Sequence, residues 1–491
     1  MVINNSADII QPMNQSNGIS SDRLPYLSRE QLNHIHQASM QILKRIGIQF
    51  NHSAANEIFS RNGFKVDQCN VFLGETEVLK ALETCPSEFI IYGRNSQYDV
   101  HVGGDHFVLL PTGGATMVME NDKQLRPGSI ADYENCCKLV QTSKQLDMNG
   151  FIMVHPNDIP AKKAHLEMIF RNYLLCEKPF ITATHSSLAA MEALEMADIV
   201  WNGRDRLVKR PVMVAMATVT SPLKYDEDQI DCILQYAKSN QPIVLITMPL
   251  AGLTGPLNLL TLMSQVNAEI LAGIVLVQHI SPGTPVIYGS FASPIDMKTM
   301  IPAMAASETV QLSFMAAQMA KFYRLPCRTG GALTNAQVAD YQAGVESSLL
   351  LSTALRAGAN FVFHACGLLA SGSSMSFAKW LLDEELCSQI RRIFKPLVVE
   401  NDAIDIADIE EVGIGGSFLT HDTTLKNFRQ LSSSDVFYRK KYSNWVIEGA
   451  AYADQATNIY LKKRLQTYCQ PSMDQGLKQE LQEYILRKCA E

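Results

Sequence analysis

The sequence predicts an α/β protein, a (β/α)8 TIM barrel with helical N- and C-terminal additions. Two observations lead there. From residue 107 short apolar runs alternate with longer stretches of helical period, and the alternation repeats eight times before residue 397. Such alternation is the mark of βαβ units and a parallel sheet, and eight in succession is the count that closes a barrel. A third observation bears on the alternative, an open doubly wound sheet. The first run is followed by the pair Gly113–Gly114, which lacks the GxGxxG spacing of a dinucleotide loop.

The expected strands are Phe107–Leu110, Gly150–Val154, Phe180–Thr184, Val212–Thr218, Ile243–Met248, Pro285–Gly289, Pro326–Thr329 and Asn360–His364. Helical patterns fill the gaps, among them Lys163–Leu175, Tyr225–Ala237, Asn258–Val275, Ala303–Tyr323 and Val338–Ala357, and Lys379–Phe394 supplies the eighth helix. Ahead of the barrel, residues 1–106 read as an extension. Its first twenty residues are loose and polar. A helix over Ser28–Ile46 follows, with Leu32, Ile35, Ile42 and Leu43 on one face, Ser28 as its cap and Gly47 closing it. A second helix covers Ser53–Asn62, and Phe89–Tyr92 and Tyr98–Val102 read as short strands. Residues 398–491 form a polar, mostly helical tail with expected helices at Asp422–Phe428, Trp445–Leu465 and Gln475–Cys489. That tail is expected to pack on the barrel wall or to mediate self-association, and a symmetric homo-oligomer is the base-rate expectation.

Composition excludes several classes. Forty-two basic against 49 acidic residues leave a net charge of −7, with no basic stripe for a nucleic-acid backbone. Residues 1–20 lack a basic start followed by an apolar stretch, so no secretory signal is expected there. Apolar runs such as Ile270–Val277 are too short to span a bilayer, so no membrane partner and a cytoplasmic location are expected. The 11 cysteines include no CxxC pair, and Cys136–Cys137 falls in a helical pattern as packing thiols would.

In a barrel of this kind the chemistry lies at the C-terminal strand ends. Here those ends carry glycines, hydroxyls and a few histidines, with almost no acids. A paired-carboxylate glycosidase and a magnesium–phosphate enzyme are therefore disfavoured. No Lys closes a strand, which disfavours a Schiff-base aldolase. The leading candidate is His364, which ends an apolar strand. It either donates to a substrate carboxylate or leaving group, or is satisfied by a neighbouring carbonyl. His364 and Cys366 form an HxC pair, but no third metal ligand has matching spacing, so no metal is expected. His155 and His185 are expected to bond within their loops. Five aromatics on or near strand ends, Tyr92, Tyr98, Phe291, Phe361 and Phe363, are candidates for a cage around a cationic ligand, or else core.

The stretch TGGALTNAQVADYQAGVE at Thr329–Glu346 resembles the trimethylamine methyltransferase (MttB) family. RAGANFVFHACG at Arg356–Gly367, VGIGGSFLTHDTTLKNFR at Val412–Arg429 and LSREQLNHIHQASMQILKRIGIQF at Leu27–Phe50 continue it. The resemblance implies a (β/α)8 barrel that moves a methyl group from an amine to the Co(I) of a separate corrinoid protein, with no cofactor held by this chain itself. The trimethylamine enzymes carry pyrrolysine after the seventh strand, and Gln337 stands at or next to that position here, which places the chain in the non-pyrrolysine branch. A quaternary ammonium already bears the charge that lets it leave as a neutral amine, so it needs no covalent activator. What it needs is a cradle, an anchor for any carboxylate, and orientation. The resemblance thus implies a quaternary amine such as glycine betaine, proline betaine or carnitine. The expected catalytic residues are Gln337 and His364. Gly330 and Gly331 allow close backbone approach at the substrate site. Asp340, Gln342 and Glu346 match the family motif and are expected to form a structural network, and His421 is expected to be structural. Two other readings remain open: a barrel that binds a betaine or corrinoid without turnover, and a zinc-dependent corrinoid methyltransferase.

Overall fold

A computed structural model describes residues 26–121, 123–395, 406–431, 434 and 436–490. The N-terminal polar stretch and the expected boundary at 397–398 lie outside those residues. Seven parallel strands form one curled sheet: β1 (Val108–Leu109), β2 (Phe180–Ile181), β3 (Met213–Val219), β4 (Ile243–Thr247), β5 (Val286–Ser290), β6 (Cys327–Gly330) and β7 (Phe361–Phe363). The order across the sheet is β1-β7-β6-β5-β4-β3-β2. Central strands such as Ile243–Thr247 are buried on both faces, which is why they read as unbroken apolar runs.

The expected second strand, Gly150–Val154, is not a strand. The chain makes one bridge at Asn149, opposite Phe180, and the Asp147 N–H donates to Leu109 C=O. Beyond it, Ile152 C=O accepts from Gly114 and the His155 N–H donates to Ala115 C=O, so this stretch follows the loop after β1 and leaves the ladder. The Asn149 side chain donates to Asn172, and its carbonyl accepts from the Gly150 N–H, which completes the local alternative to pairing. A curled parallel α/β sheet is therefore what the chain displays.

Four helices matter for the site. The first, α1 (Arg29–Arg45), starts at a Ser28–Gln31 capping box and is followed by Gly47 at φ +80°. Next, α2 (Leu259–Ile280) is capped by Asn258 and is apolar all round because it is wedged between the sheet, α1 and the helix Glu75–Thr84. By length and composition α2 would cross a membrane, though the expectation had been of shorter runs; its most apolar window is 89% buried as a core helix. Then α3 (Tyr341–Ala357) begins at Asp340, whose carboxylate accepts from the Ala343 N–H, and stops at Gly358 with φ +91°. Last, α4 (Phe377–Phe394) is capped by Ser376.

The flanks share the sheet's core. Val102 from the hairpin Glu88–Ile91/Val100–Gly103, and Leu481 and Tyr484 from the helix Gln475–Ala490, pack in the same apolar cluster as Val108 and Phe361. The expected tail helix Trp445–Leu465 is two helices, Tyr442–Ile447 and Ala453–Gln466. Loops after β1 and β7 interlock in a small sheet, Met117–Met119 with Leu125–Pro127 and Ser374–Met375, a feature the sequence pattern did not announce.

Candidate functional site

Register decides what faces the hollow of the sheet. Arg328 on β6 stands beside Phe361 on β7, and Gly330 beside Phe363, while Gly289 on β5 pairs with Arg328. Alternation then sends Arg328, Gly330, Phe361 and Phe363 to the same inner side. The apolar neighbours on that side include Val108, Val244, Ile246 and Ile287.

Arg328 is the central finding. It is 1% exposed, and among the described residues no Asp or Glu stands within ion-pair reach of it. Nη1 donates to Ser290 C=O at 3.2 Å, Nη2 lies 3.4 Å from His364 Nδ1, and Nε is buried with no hydrogen-bond partner. Its guanidinium lies 5.3 Å from the Phe291 ring centre and 5.6 Å from that of Phe363. Burial pushes its pKa down to about 9, so the group still carries its charge at neutral pH. A buried cation without a counter-ion is costly, which singles Arg328 out as a candidate contact for an anion.

His364 stacks on Phe363 with 3.9 Å between ring centres and an interplanar angle of 28°. Phe291 is 6.1 Å away. Burial first, and the Arg328 charge second, hold the imidazole well below its ordinary pKa, against a hydrogen bond to the Gly113 backbone that acts the other way. It is therefore neutral, with Nδ1 turned toward the guanidinium. His364 is also a non-glycine residue at φ +66°, a strained setting of the kind that gathers at functional sites. A neutral imidazole facing a cation is poorly placed to give up a proton, and its Nδ1 lies where it can accept from the guanidinium.

Glycines let this cluster close. A Cβ on Gly331 would sit 2.9 Å from Ala365 backbone atoms, and one on Gly330 would meet Leu333 at 2.5 Å and Phe291 at 3.2 Å. The loop above is fixed from α3. Glu346 accepts from the Thr334 hydroxyl and from the Asn335 N–H at 2.8 Å, and Gln342 donates to Glu346 at 2.9 Å.

Other expected residues fall elsewhere. Tyr92 and Tyr98 are not at this site, a correction with a simple cause. The Tyr92 N–H donates to Pro211 C=O, just before β3, with Arg210 4.4 Å over its ring. Tyr98 accepts from Gln141 and lies against Lys178, just before β2. Both sit where strands begin, opposite the mouth. Gln337 is exposed and donates to Asn335 C=O at 3.3 Å, outside hydrogen-bond reach of the Arg328 cluster. The Cys366 thiol faces Cys387 at 4.0 Å while His364 faces Arg328, so the HxC pair does not converge. Among the described residues no group of three His, Cys, Asp or Glu side chains could hold a metal. His185 lies against Phe151 and His165, away from Arg328.

Two charged groups escaped the sequence reading. Arg328 lies inside the expected strand Pro326–Thr329, whereas the strand-end rule points only to residues beyond it; a lone cation in an apolar strand was the available signal. Glu269 on α2 is buried at the ends of β3 and β4, where it accepts from Ser221 Oγ at 2.8 Å, from the Leu223 N–H at 2.9 Å and from Gln265 at 2.9 Å, and also pairs with Thr247. Burial raises its pKa. It braces two strand-end loops from outside the sheet.

Known proteins agree with this architecture. The chain is 35% identical to a glycine betaine methyltransferase of Desulfitobacterium hafniense over 94% of its length and 96% of that protein's. It is 28% identical to a proline betaine:corrinoid methyltransferase of Eubacterium limosum, over 94% and 97% of the two chains, and 29% identical to that organism's L-carnitine:corrinoid methyltransferase, over 90% and 93%. The crystal structure of the Methanosarcina barkeri monomethylamine methyltransferase superposes with a TM-score of 0.53 at 12% identity, covering 91% of this chain and 90% of that one, a likeness of fold. The family model described as trimethylamine methyltransferase (MTTB) matches residues 6–491, and this chain belongs to that family.

Proposed function

We propose that this chain transfers a methyl group from a carboxylated quaternary amine of the glycine betaine kind to the Co(I) centre of a separate corrinoid protein. The observation that carries the carboxylate is Arg328, a buried guanidinium with one free N–H and no acidic partner in reach among the described residues. The betaine and carnitine relatives support the substrate class and the corrinoid acceptor.

In this reading the substrate carboxylate pairs with Arg328, in place of the missing counter-ion. His364 Nδ1 holds the guanidinium in its plane, and Ser290 C=O fixes its other arm. Phe291, half-buried and next to the opening, presents its face to the trimethylammonium, with Phe363 behind the anchor and Phe361 as the floor. Gly330 and Gly331 keep the loop after β6 close enough to shape the site. Co(I) on the partner supplies the electron pair that takes the methyl, while the N–C electrons stay on nitrogen and a neutral tertiary amine leaves. No proton moves, which suits a mouth without free acids. The chain's own part is orientation and exclusion of water.

The finer architecture follows the same reading. The segment Asp147–Phe151 completes an eighth position and closes a (β/α)8 barrel over 107–397, with the described parts of 1–106 and 398–491 as buttresses, in the cytoplasm. Gln337 belongs to the rim, so Gln337→Ala is expected to change kcat/KM by less than about fivefold, because an exposed side chain bonded to its own loop adds little.

The test supplies reduced corrinoid acceptor with glycine betaine or choline and reads methyl-cobalt absorbance. Glycine betaine is expected to exceed choline in kcat/KM by about 100-fold, the cost of leaving a buried cation unpaired. Equal turnover would remove the carboxylate anchor. Saturable betaine binding without methyl transfer would leave a binding barrel.

The depressed His364 pKa also sets a pH dependence. The unfolded histidine protonates near its ordinary pKa while the folded one does not, so its contribution to stability is full above that pKa and is lost as pH falls below it. Between about pH 7.5 and 5.5 wild type is expected to lose roughly 1.4 kcal/mol more than His364→Gln, measured by urea unfolding. Equal losses would mean that His364 titrates normally.

A further inference from the structure

Residues 406–431 carry eight large apolar side chains that face solvent. Ile414 is fully exposed, Leu419 78% and Leu431 74%. The two helices in this stretch, Ala407–Val412 and Asp422–Asn427, bury no residue. Its polar contacts are largely its own: His421 meets Thr423 at 2.8 Å and Glu411 at 3.5 Å. The stretch Val412–Arg429 was one of those that carry the family resemblance, yet it contributes nothing to the Arg328 cluster. An apolar surface of this extent on a free chain marks a contact still to be made.

Two arguments choose the occupant. The first is position. Arg392, in the last turn of α4, donates to Gln430 C=O at 3.3 Å, and Arg429 and Leu431 line a cleft with Gln145 and Lys395. Barrel helices run against their strands, so the end of α4 lies where strands begin. On the function proposed above, a protein that delivers a methyl acceptor must address the opposite end, where Arg328 and His364 lie, so the anchored end of the arm, residues 429–431, points away from that encounter. The second is area. Eight such side chains at roughly 100 Å² each bring about 800 Å², which is what one partner contributes to a stable interface. In a two-fold assembly both copies make the same contribution.

We propose that residues 406–431 are an arm that packs on a second copy of this chain. The substitutions Ile414→Glu and Leu419→Glu together place charges in that interface without touching anything buried within one chain. Full-length wild type is expected to show at least a dimer's mass by size exclusion with light scattering at micromolar concentration. The double variant is expected to show a monomer's mass with unchanged far-ultraviolet circular dichroism. If the double variant does not fold, Leu419→Ser, which keeps the arm uncharged, is read for a raised dissociation constant instead. A monomeric wild type, or a folded variant of undiminished mass, would overturn the proposal. So would a variant that keeps its mass but loses transfer to the corrinoid protein, since the arm would then serve that partner.

Discussion

Replacing Arg328 with Met is expected to lower kcat/KM for glycine betaine by about 100- to 1000-fold while leaving thermal stability unchanged or raised. Truncating one partner of a buried, hydrogen-bonded charge pair costs about 2–5 kcal/mol in binding, and here the pair forms only when the carboxylate arrives. The free protein is the reverse case. Its guanidinium is buried without a counter-ion, held by Ser290 C=O and by a neutral His364. Removing an uncompensated charge in favour of an apolar chain of similar length is neutral or stabilising. Opposite signs for stability and activity are the signature of a site built for its ligand, because an ordinary structural arginine would lose both. The same logic makes glycine betaine raise the wild-type melting temperature and not that of Arg328→Met. A variant within about fivefold of wild type on glycine betaine would show that the carboxylate goes elsewhere.

Arg328→Lys should rescue poorly. The guanidinium is a planar fork whose arms reach Ser290 and His364 at once and whose carbon lies 5.3 and 5.6 Å from the ring centres of Phe291 and Phe363. An ammonium keeps the charge but loses that geometry. The Lys variant is therefore expected to fall nearer to Met than to wild type in kcat/KM, with kcat lowered as well as KM raised, since orientation is set chiefly by the anchor.

Much of the fold was legible because its signals are local. Ser28 marked one helix start, the helical pattern from Val338 placed another within a few residues of Tyr341, and buried parallel strands such as Ile243–Thr247 announce themselves as apolar runs. The second strand failed because Gly150–Val154 has strand composition while its hydrogen bonds go to Gly114 and Ala115, a competition decided by tertiary neighbours. Tyr92 and Tyr98 failed for a related reason. Composition says that an aromatic sits near a strand, but not at which end of the sheet, and the hairpin that carries them packs where strands begin. For the site, glycines and His364 were readable as strand-end features. Arg328 was not, since its role comes from the register that places it beside Phe361 and from the absence of an acid in reach among the described residues.

Replacing Lys379 with Met is expected to destabilise the protein by about 3–5 kcal/mol, because it breaks a buried ion pair and leaves the acid behind. Lys379 on α4 is 1% exposed and donates to Ala332 C=O at 3.0 Å, to Ser347 Oγ at 2.9 Å and to the Asp383 carboxylate at 2.5 Å. Asp383 in turn accepts from the Gly367 N–H at 2.8 Å. One pair thus ties the loop after β6 to the loop after β7, the two segments that flank His364, and the Ala332 N–H donates to His364 C=O at 2.7 Å. Burial already raises the Asp383 pKa against the pull of Lys379, so without Lys379 it rises further. A raised carboxyl pKa means that the folded state binds its proton more tightly than the unfolded one, so the variant should regain stability as pH falls from neutrality toward the unfolded value. Urea unfolding at neutral and mildly acidic pH reads both effects. The pair Lys379→Met with Asp383→Leu removes the stranded acid and is expected to recover much of the loss, while activity stays low because the two loops are no longer tied. If Lys379→Met alone costs less than about 1 kcal/mol and shows no pH-dependent recovery, the pair is not what holds the mouth together.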